Sequence, residues 1–170
     1  MMSLTIILEK PSHTGNIGAV ARAMHTMGFE ELIILYPPEI DEEAYARARG
    51  GKQILERAVL TDDLNILKGM NVIYGTTSRH RSLHLPVSSP KGIKESIQSE
   101  MKSQNVAILF GNEQSGLSNN LLNMCQAVIE IPARAGHSLN LSHAVQIICY
   151  ELSLGHDLEP SEIYSTLQER

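Results

Sequence analysis

The sequence predicts an α/β fold built on a mostly parallel sheet with helices on both faces. Short apolar runs alternate with stretches of helical periodicity along the chain. Several of those runs are apolar without alternation, as in strands covered on both faces. Loops rich in glycine, asparagine and charge follow the run ends, where open α/β sheets place their ligands.

The elements follow in order. Leu4–Leu8 is the first strand. Ile17, Val20, Ala21, Met24 and Met27 then form one apolar stripe of a helix, with Gly18, Arg22 and His25 on another face. Leu32–Leu35 is a strand and Glu42–Arg47 a helix. A helix over Asp62–Leu67 starts from Thr61 as cap, with acids in its first turn. Val72–Tyr74 and Val106–Phe110 are strands on either side of a Lys91–Met101 helix. Ser118 caps a helix over Asn119–Met124, and Val128–Ile131 is the last strand. Leu141, Ala144, Val145, Ile148, Cys149 and Leu152 stripe the final helix, so Cys149 reads as packing. Glu159–Arg170 reads as a short helix or frayed end.

A chain of 170 residues is about one domain. Its 14 basic and 19 acidic side chains leave a formal charge of −5, which excludes a uniformly basic nucleic-acid coat. A hydrophobic content of 42% argues against disorder. No apolar run reaches the roughly 18–20 residues of a membrane span. The first residues lack the basic flank of a signal peptide. Cys125 and Cys149 form no Cys-x-x-Cys and read as buried thiols in a reducing compartment, so a cytoplasmic location is expected.

Three strand-end loops carry the candidate chemistry: Lys10–Asn16, Gly111–Ser118 and Pro132–Asn140. In the first, a helix start with free N–H groups, Gly18 leaving room and Arg22 one turn on would suit a phosphate. An arginine paired with a nearby acid fits the same spacing. Gly15-x-x-Gly18-x-x-Ala21 has the wrong first spacing for a dinucleotide turn. In the second loop, Gly111 and Gly116 flank Glu113, which could bind a cation or a hydroxyl, orient a neighbouring arginine or simply face solvent. In the third, Ser138 and Asn140 could serve as helix caps. His137 and His143 have no partners at metal spacing, so no metal is expected. A fourth segment, Thr76–Pro90, holds Arg79, His80, Arg81 and His84 without an acidic side chain.

Together the loops resemble the three motifs of the SpoU-type RNA 2′-O-methyltransferases of the SPOUT class. These are Asn16-Ile17-Gly18-Ala19-Val20-Ala21-Arg22, then Phe110-Gly111-Asn112-Glu113-Gln114-Ser115-Gly116-Leu117-Ser118, then Ile131-Pro132 with Ser138-Leu139-Asn140-Leu141-Ser142. Ser12–Asn16, Val20–Met24 and Tyr74–Arg79 resemble the bacterial branch that methylates ribose 32 of the tRNA anticodon loop. The segment Ala133–His137 departs from that branch's pattern. The chain also ends at Arg170, where similar enzymes continue into a helical extension.

The resemblance implies a deep trefoil knot toward the C-terminus, S-adenosylmethionine as cofactor, and a homodimer with active sites at the subunit interface. It implies a catalytic domain over residues 1–156 and a tail, or the start of an extension, over 157–170. Arg22, Asn16, Glu113, Ser138 and Asn140 match the family's catalytic positions. Thr76, Leu109, Gly111, Gly116, Ile131, Ser138 and Leu139 match its cofactor site, largely through backbone. For RNA, Arg22 with Arg79, Arg81, Lys91 and Lys94 forms the expected basic patch. The substrate would be tRNA, with rRNA as the alternative within the family and a non-catalytic RNA-binding module as the alternative outside it.

Overall fold

The computed structural model describes residues 4–77, 84–134 and 138–153. Arg79, His80, Arg81, His137 and the 157–170 tail therefore lie outside the described residues.

Among the described residues, seven strands form one all-parallel sheet: β1 (Leu4–Glu9), β2 (Glu31–Leu35), β3 (Val59–Thr61), β4 (Val72–Thr77), β5 (Val87–Ser88), β6 (Val106–Phe110) and β7 (Ala127–Glu130). Their spatial order is β3-β2-β1-β6-β4-β7-β5. The helices are α1 (Thr14–Met27), α2 (Glu42–Ala48), α3 (Lys52–Arg57), α4 (Pro90–Met101), α5 (Asn119–Leu122) and α6 (Leu141–Ser153), with 3-10 turns at Arg49–Gly51 and Leu64–Gly69. Among the described residues no helix is long and apolar enough to cross a membrane.

The unbroken apolar runs divide by parity between two cores. Ile6, Leu8, Ile108 and Phe110 face α1, α4 and α6, whereas Ile7, Ala107 and Leu109 face Leu67, Leu117, Leu121 and Leu122. Both faces are covered, as the lack of alternation predicts. The stripes on α1 and α6 are core: Ile17, Val20, Ala21, Met24, Val145 and Cys149 are completely buried. Gly28, at φ 83, ends α1, and the amide of Phe29 returns to the Met24 carbonyl at 2.9 Å.

Three expectations change. Thr61 ends β3 rather than capping a helix; Asp63 caps the 3-10 turn, accepting from the Asn65 amide at 3.0 Å. The strands β3 and β5 and the helix α3 have no counterpart in the sequence reading. Two or three half-exposed residues are too few to show a period, and the six residues of α3 make less than two turns of one. The room beside Gly18 belongs to α2, not to a ligand: a Cβ there would lie 2.0 Å from the Ala44 carbonyl oxygen.

From β1 the chain runs outward to β2 and β3, then crosses to build the other half of the sheet from β4 to β7. The order of strands reverses between β1 and β6. Ligands in open α/β sheets bind outside the carboxyl ends of strands at such a point.

Candidate active site

The loops leaving β1 and β6 meet at that reversal. Glu113 lies in the second loop, and its carboxylate accepts from the amide of Ser12 at 2.9 Å, the amide of His13 at 3.0 Å and Asn16 Nδ2 at 3.0 Å. These donors stand at and just before the start of α1. Glu113 thus occupies part of the anion site that the helix start was expected to offer to a phosphate. Burial pushes its carboxyl pKa up, but the hydrogen bonds from Ser12, Asn16 and His13 outweigh that and hold it below its usual value.

Asn112 locks the same two loops from the other side. Its amide nitrogen donates to the Lys10 carbonyl and to Ser12 Oγ, both at 2.8 Å, while its Oδ1 accepts from the amides of Gln114 and Ser115. The backbone of Asn112 also bridges to Gly116, which sits at φ 72. Gly111 is required by close approach, since its Cβ would lie 2.1 Å from the Gly116 carbonyl carbon and from the Leu117 amide nitrogen.

The third loop joins through Asn140. Its Nδ2 donates to Asn16 Oδ1 at 3.3 Å, and its Oδ1 caps α6 by accepting from the amide and hydroxyl of Ser142 at 2.9 and 2.7 Å. Asn16 therefore links Glu113 to Asn140. The cleft above them has a volume of about 590 Å³ and is lined by Ser12, His13, Asn16, Asp41, Arg47 and Asn140, among others. Hydrogen bonds from the Thr14 side chain and the Ala44 amide hold the Asp41 carboxyl below its usual pKa.

Other anticipated residues stand apart. Arg22 is exposed and, among the described residues, its guanidinium has neither ion pair nor hydrogen bond. The alternative of an arginine paired with a nearby acid is absent there. Arg22 stands six positions on from Asn16, about 9 Å along the helix axis. Ser138 is exposed and makes no hydrogen bond among the described residues. Lys91 and Lys94 lie on α4, which like α1 packs against α6.

The expected cofactor segments converge through topology. Because β6, β4 and β7 are neighbours, the ends of all three strands lie side by side, with Gly75 opposite Leu109 and Thr76 opposite Ile129. The Thr76 hydroxyl donates to the Leu109 carbonyl at 2.9 Å. Ile131 follows β7, and Leu139, before α6, is 37% exposed. A ledge of backbone, small residues and an exposed leucine suits a nucleoside better than a metal.

The SpoU rRNA Methylase family matches residues 3–150. The chain belongs to that family. Within it, the chain is 40% identical over 157 residues to the tRNA (cytidine/uridine-2′-O-)-methyltransferase TrmJ of Pectobacterium atrosepticum, covering 91% of this chain and 65% of that protein. It therefore spans a little under two thirds of that relative's length. The crystal structure of TrmJ from Z. mobilis superimposes with a TM-score of 0.84 at 29% identity, over 97% of this chain and 80% of that one. The fold, at 24% identity, is also that of the SpoU methyltransferase AviRb from Streptomyces viridochromogenes solved with AdoMet, with a TM-score of 0.71 over 89% of this chain and 59% of that one.

The sequence left Glu9 and Arg47 unmarked in this SpoU-family site and showed Ser12 and Asn112 only as members of motifs, without a role. Glu9 is 8% exposed and accepts from the Ser118 amide and hydroxyl at 2.7 and 2.6 Å, anchoring the far end of the second loop. A lone carboxylate closing an apolar strand was the available signal.

Proposed function

We propose that the chain catalyses transfer of a methyl group from S-adenosylmethionine to a ribose 2′-hydroxyl of tRNA, at nucleotide 32 of the anticodon loop. The observation that carries the methyltransferase reading is the Glu113–Asn16–Asn140 chain, which ties all three family motifs into one cleft. The TrmJ relatives support tRNA as substrate.

The cofactor supplies an electrophilic methyl, so the protein must hold two reactants in line and help a proton leave. Thr76, Leu109, Gly111, Gly116, Ile131, Ser138 and Leu139 would hold the cofactor on the strand-end ledge. Glu113, Asn16 and Asn140 keep the loops in register. Arg22 binds RNA phosphate and stabilises the developing alkoxide. A guanidinium normally remains protonated in proteins, so Arg22 is assigned stabilisation rather than base catalysis. The proton leaves to water or to His25, which stands three residues on in the last turn of α1.

Arg79, Arg81, Lys91 and Lys94 extend the RNA surface. The active unit is a homodimer with its sites at the interface and a trefoil-knotted C-terminal segment, and it works in the cytoplasm. With the main stripes of α1 and α6 already buried, Ile147 and Tyr150, 37% and 50% exposed on α6, are the side chains offered to a second copy.

Incubation with labelled S-adenosylmethionine and bulk tRNA or rRNA, followed by nucleoside analysis, tests this directly. A 2′-O-methylated nucleoside from tRNA position 32 is the expected product. Label in rRNA alone would reassign the substrate, and label in neither would end the reading. Arg22→Ala should abolish transfer, whereas near-full activity in Arg22→Lys would argue against a bidentate role.

A further inference from the structure

Three basic side chains outside the expected patch stand on one ridge beside α1. Arg47 lies in the last turn of α2, Arg49 in the 3-10 turn after it and Lys52 at the start of α3, and all three are exposed. Their backbone is pressed onto the stretch of α1 that bears Arg22. A Cβ on Gly51 would lie 2.5 Å from the Ala21 carbonyl oxygen and 3.0 Å from the Arg22 amide nitrogen. A Cβ on Gly50 would lie 3.1 Å from the His25 ring, and one on Gly18 3.0 Å from Arg47 Cβ. The glycines thus bring the ridge and Arg22 onto one surface.

Arg49 adopts φ 50 and ψ −118, a conformation that a β-carbon disfavours and glycine tolerates. Two glycines follow it, yet neither has a positive φ. Backbone stability alone would favour glycine at 49. The helix dipole accounts for a base in the last turn at Arg47 but not for an arginine beyond it. Among the described residues the ridge makes one ion pair, Arg47 to Glu43 at 3.4 Å, with both side chains more than half exposed. Asp41, Glu42 and Glu43 begin α2 one to two turns earlier and Glu43 offsets Arg47, whereas among the described residues Arg49 and Lys52 have no ion pair.

We propose that Arg49, flanked by Arg47 and Lys52, binds the phosphate backbone of the RNA strand next to the nucleotide that Arg22 addresses. This rests on the methyltransferase reading above and extends its RNA surface to a second edge. On a chain of net charge −5, such a ridge concentrates positive charge where a polyanion would pass. Phosphate contacts of this kind set register and affinity without reading sequence.

The test is Arg49→Gly, with Arg47→Ala/Arg49→Gly/Lys52→Ala as a second variant, read by tRNA binding across a salt series, thermal melting and calorimetric uptake of S-adenosylmethionine. Arg49→Gly should melt at the wild-type temperature or above it, because it relieves the strained backbone, and should take up the cofactor as the wild type does. Its tRNA affinity should fall about three- to tenfold, with a salt slope shallower by about one contact; the triple variant should lose about three. Wild-type affinity and slope in both variants would overturn the ridge. So would a lowered melting temperature in Arg49→Gly, which would show that the arginine serves the fold. Wild-type protein that methylates tRNA while both variants bind normally would sink the ridge alone. Wild-type protein that takes up no S-adenosylmethionine and binds no RNA would sink the methyltransferase reading and the ridge with it.

Discussion

Glu113 Oε2 accepts a hydrogen bond from Asn16 Nδ2 at 3.0 Å across 97 positions of sequence. That bond makes one site of two loops at a strand-order reversal, and it is charge-assisted, as are the amide bonds from Ser12 and His13 beside it. Glu113→Gln would turn an amide donor toward three donors. We expect a loss of about 1–2 kcal/mol in urea unfolding, the lower part of the scale for bonds to a charged group because the carboxylate is only partly buried. The folded-state pKa of Glu113 is lowered, so its contribution is complete above the unfolded value near 4.5 and disappears as pH falls through the folded value. The gap between wild type and Glu113→Gln should therefore close in acid. A gap that stays constant down to pH 2 would contradict this assignment.

Among the glycines demanded by contact, Gly18 and Gly111 are the two whose substitution should separate fold from site. Gly18→Ala places a methyl 2.0 Å from the Ala44 carbonyl oxygen, forcing α1 and α2 apart. A loss of about 2–3 kcal/mol is expected in equilibrium unfolding. Gly111→Ala strikes backbone at Gly116 and Leu117, so the second loop must reopen while the sheet persists. Calorimetry should show cofactor uptake lost from a variant whose far-ultraviolet spectrum is unchanged. Normal uptake would place the cofactor elsewhere.

Ser118 does two jobs with one hydroxyl, donating to Glu9 Oε2 at 2.6 Å and accepting from the Leu121 amide at 3.3 Å. Ser118→Ala should cost about 1–3 kcal/mol, because it removes a cap and leaves a buried carboxylate with one partner fewer. Ser118→Ala combined with Glu9→Gln should cost less than the sum of the two single changes. Strict additivity in that double-mutant cycle would show that the two residues act independently.

Burial pushes the thiols of Cys125 and Cys149 up to about 12. Both stay protonated across the physiological range, so native protein at pH 8 should leave a thiol-disulfide reagent unconsumed. Denatured protein should consume two equivalents. One equivalent consumed by native protein would mean that one of the two sites opens.

The sequence by itself determined the α/β class, the two-faced burial of β1 and β6 and the capping by Ser118 and Asn140. Unbroken apolar runs and cap spacing are local signals, complete within a few residues. The motif residues Asn16, Glu113 and Asn140 were also legible, but only as neighbours in three separate loops. Tertiary structure alone decided that Asn16 joins the other two, that Glu113 fills the α1 start expected to hold a phosphate, and that Gly18 makes room for α2. It alone brought Glu9 to Ser118 and set the Arg49 ridge against Arg22. A hydrogen bond across 97 residues, or a carbonyl 2.0 Å from an absent β-carbon, depends on the order in which strands are laid side by side. Local periodicity carries no record of that order.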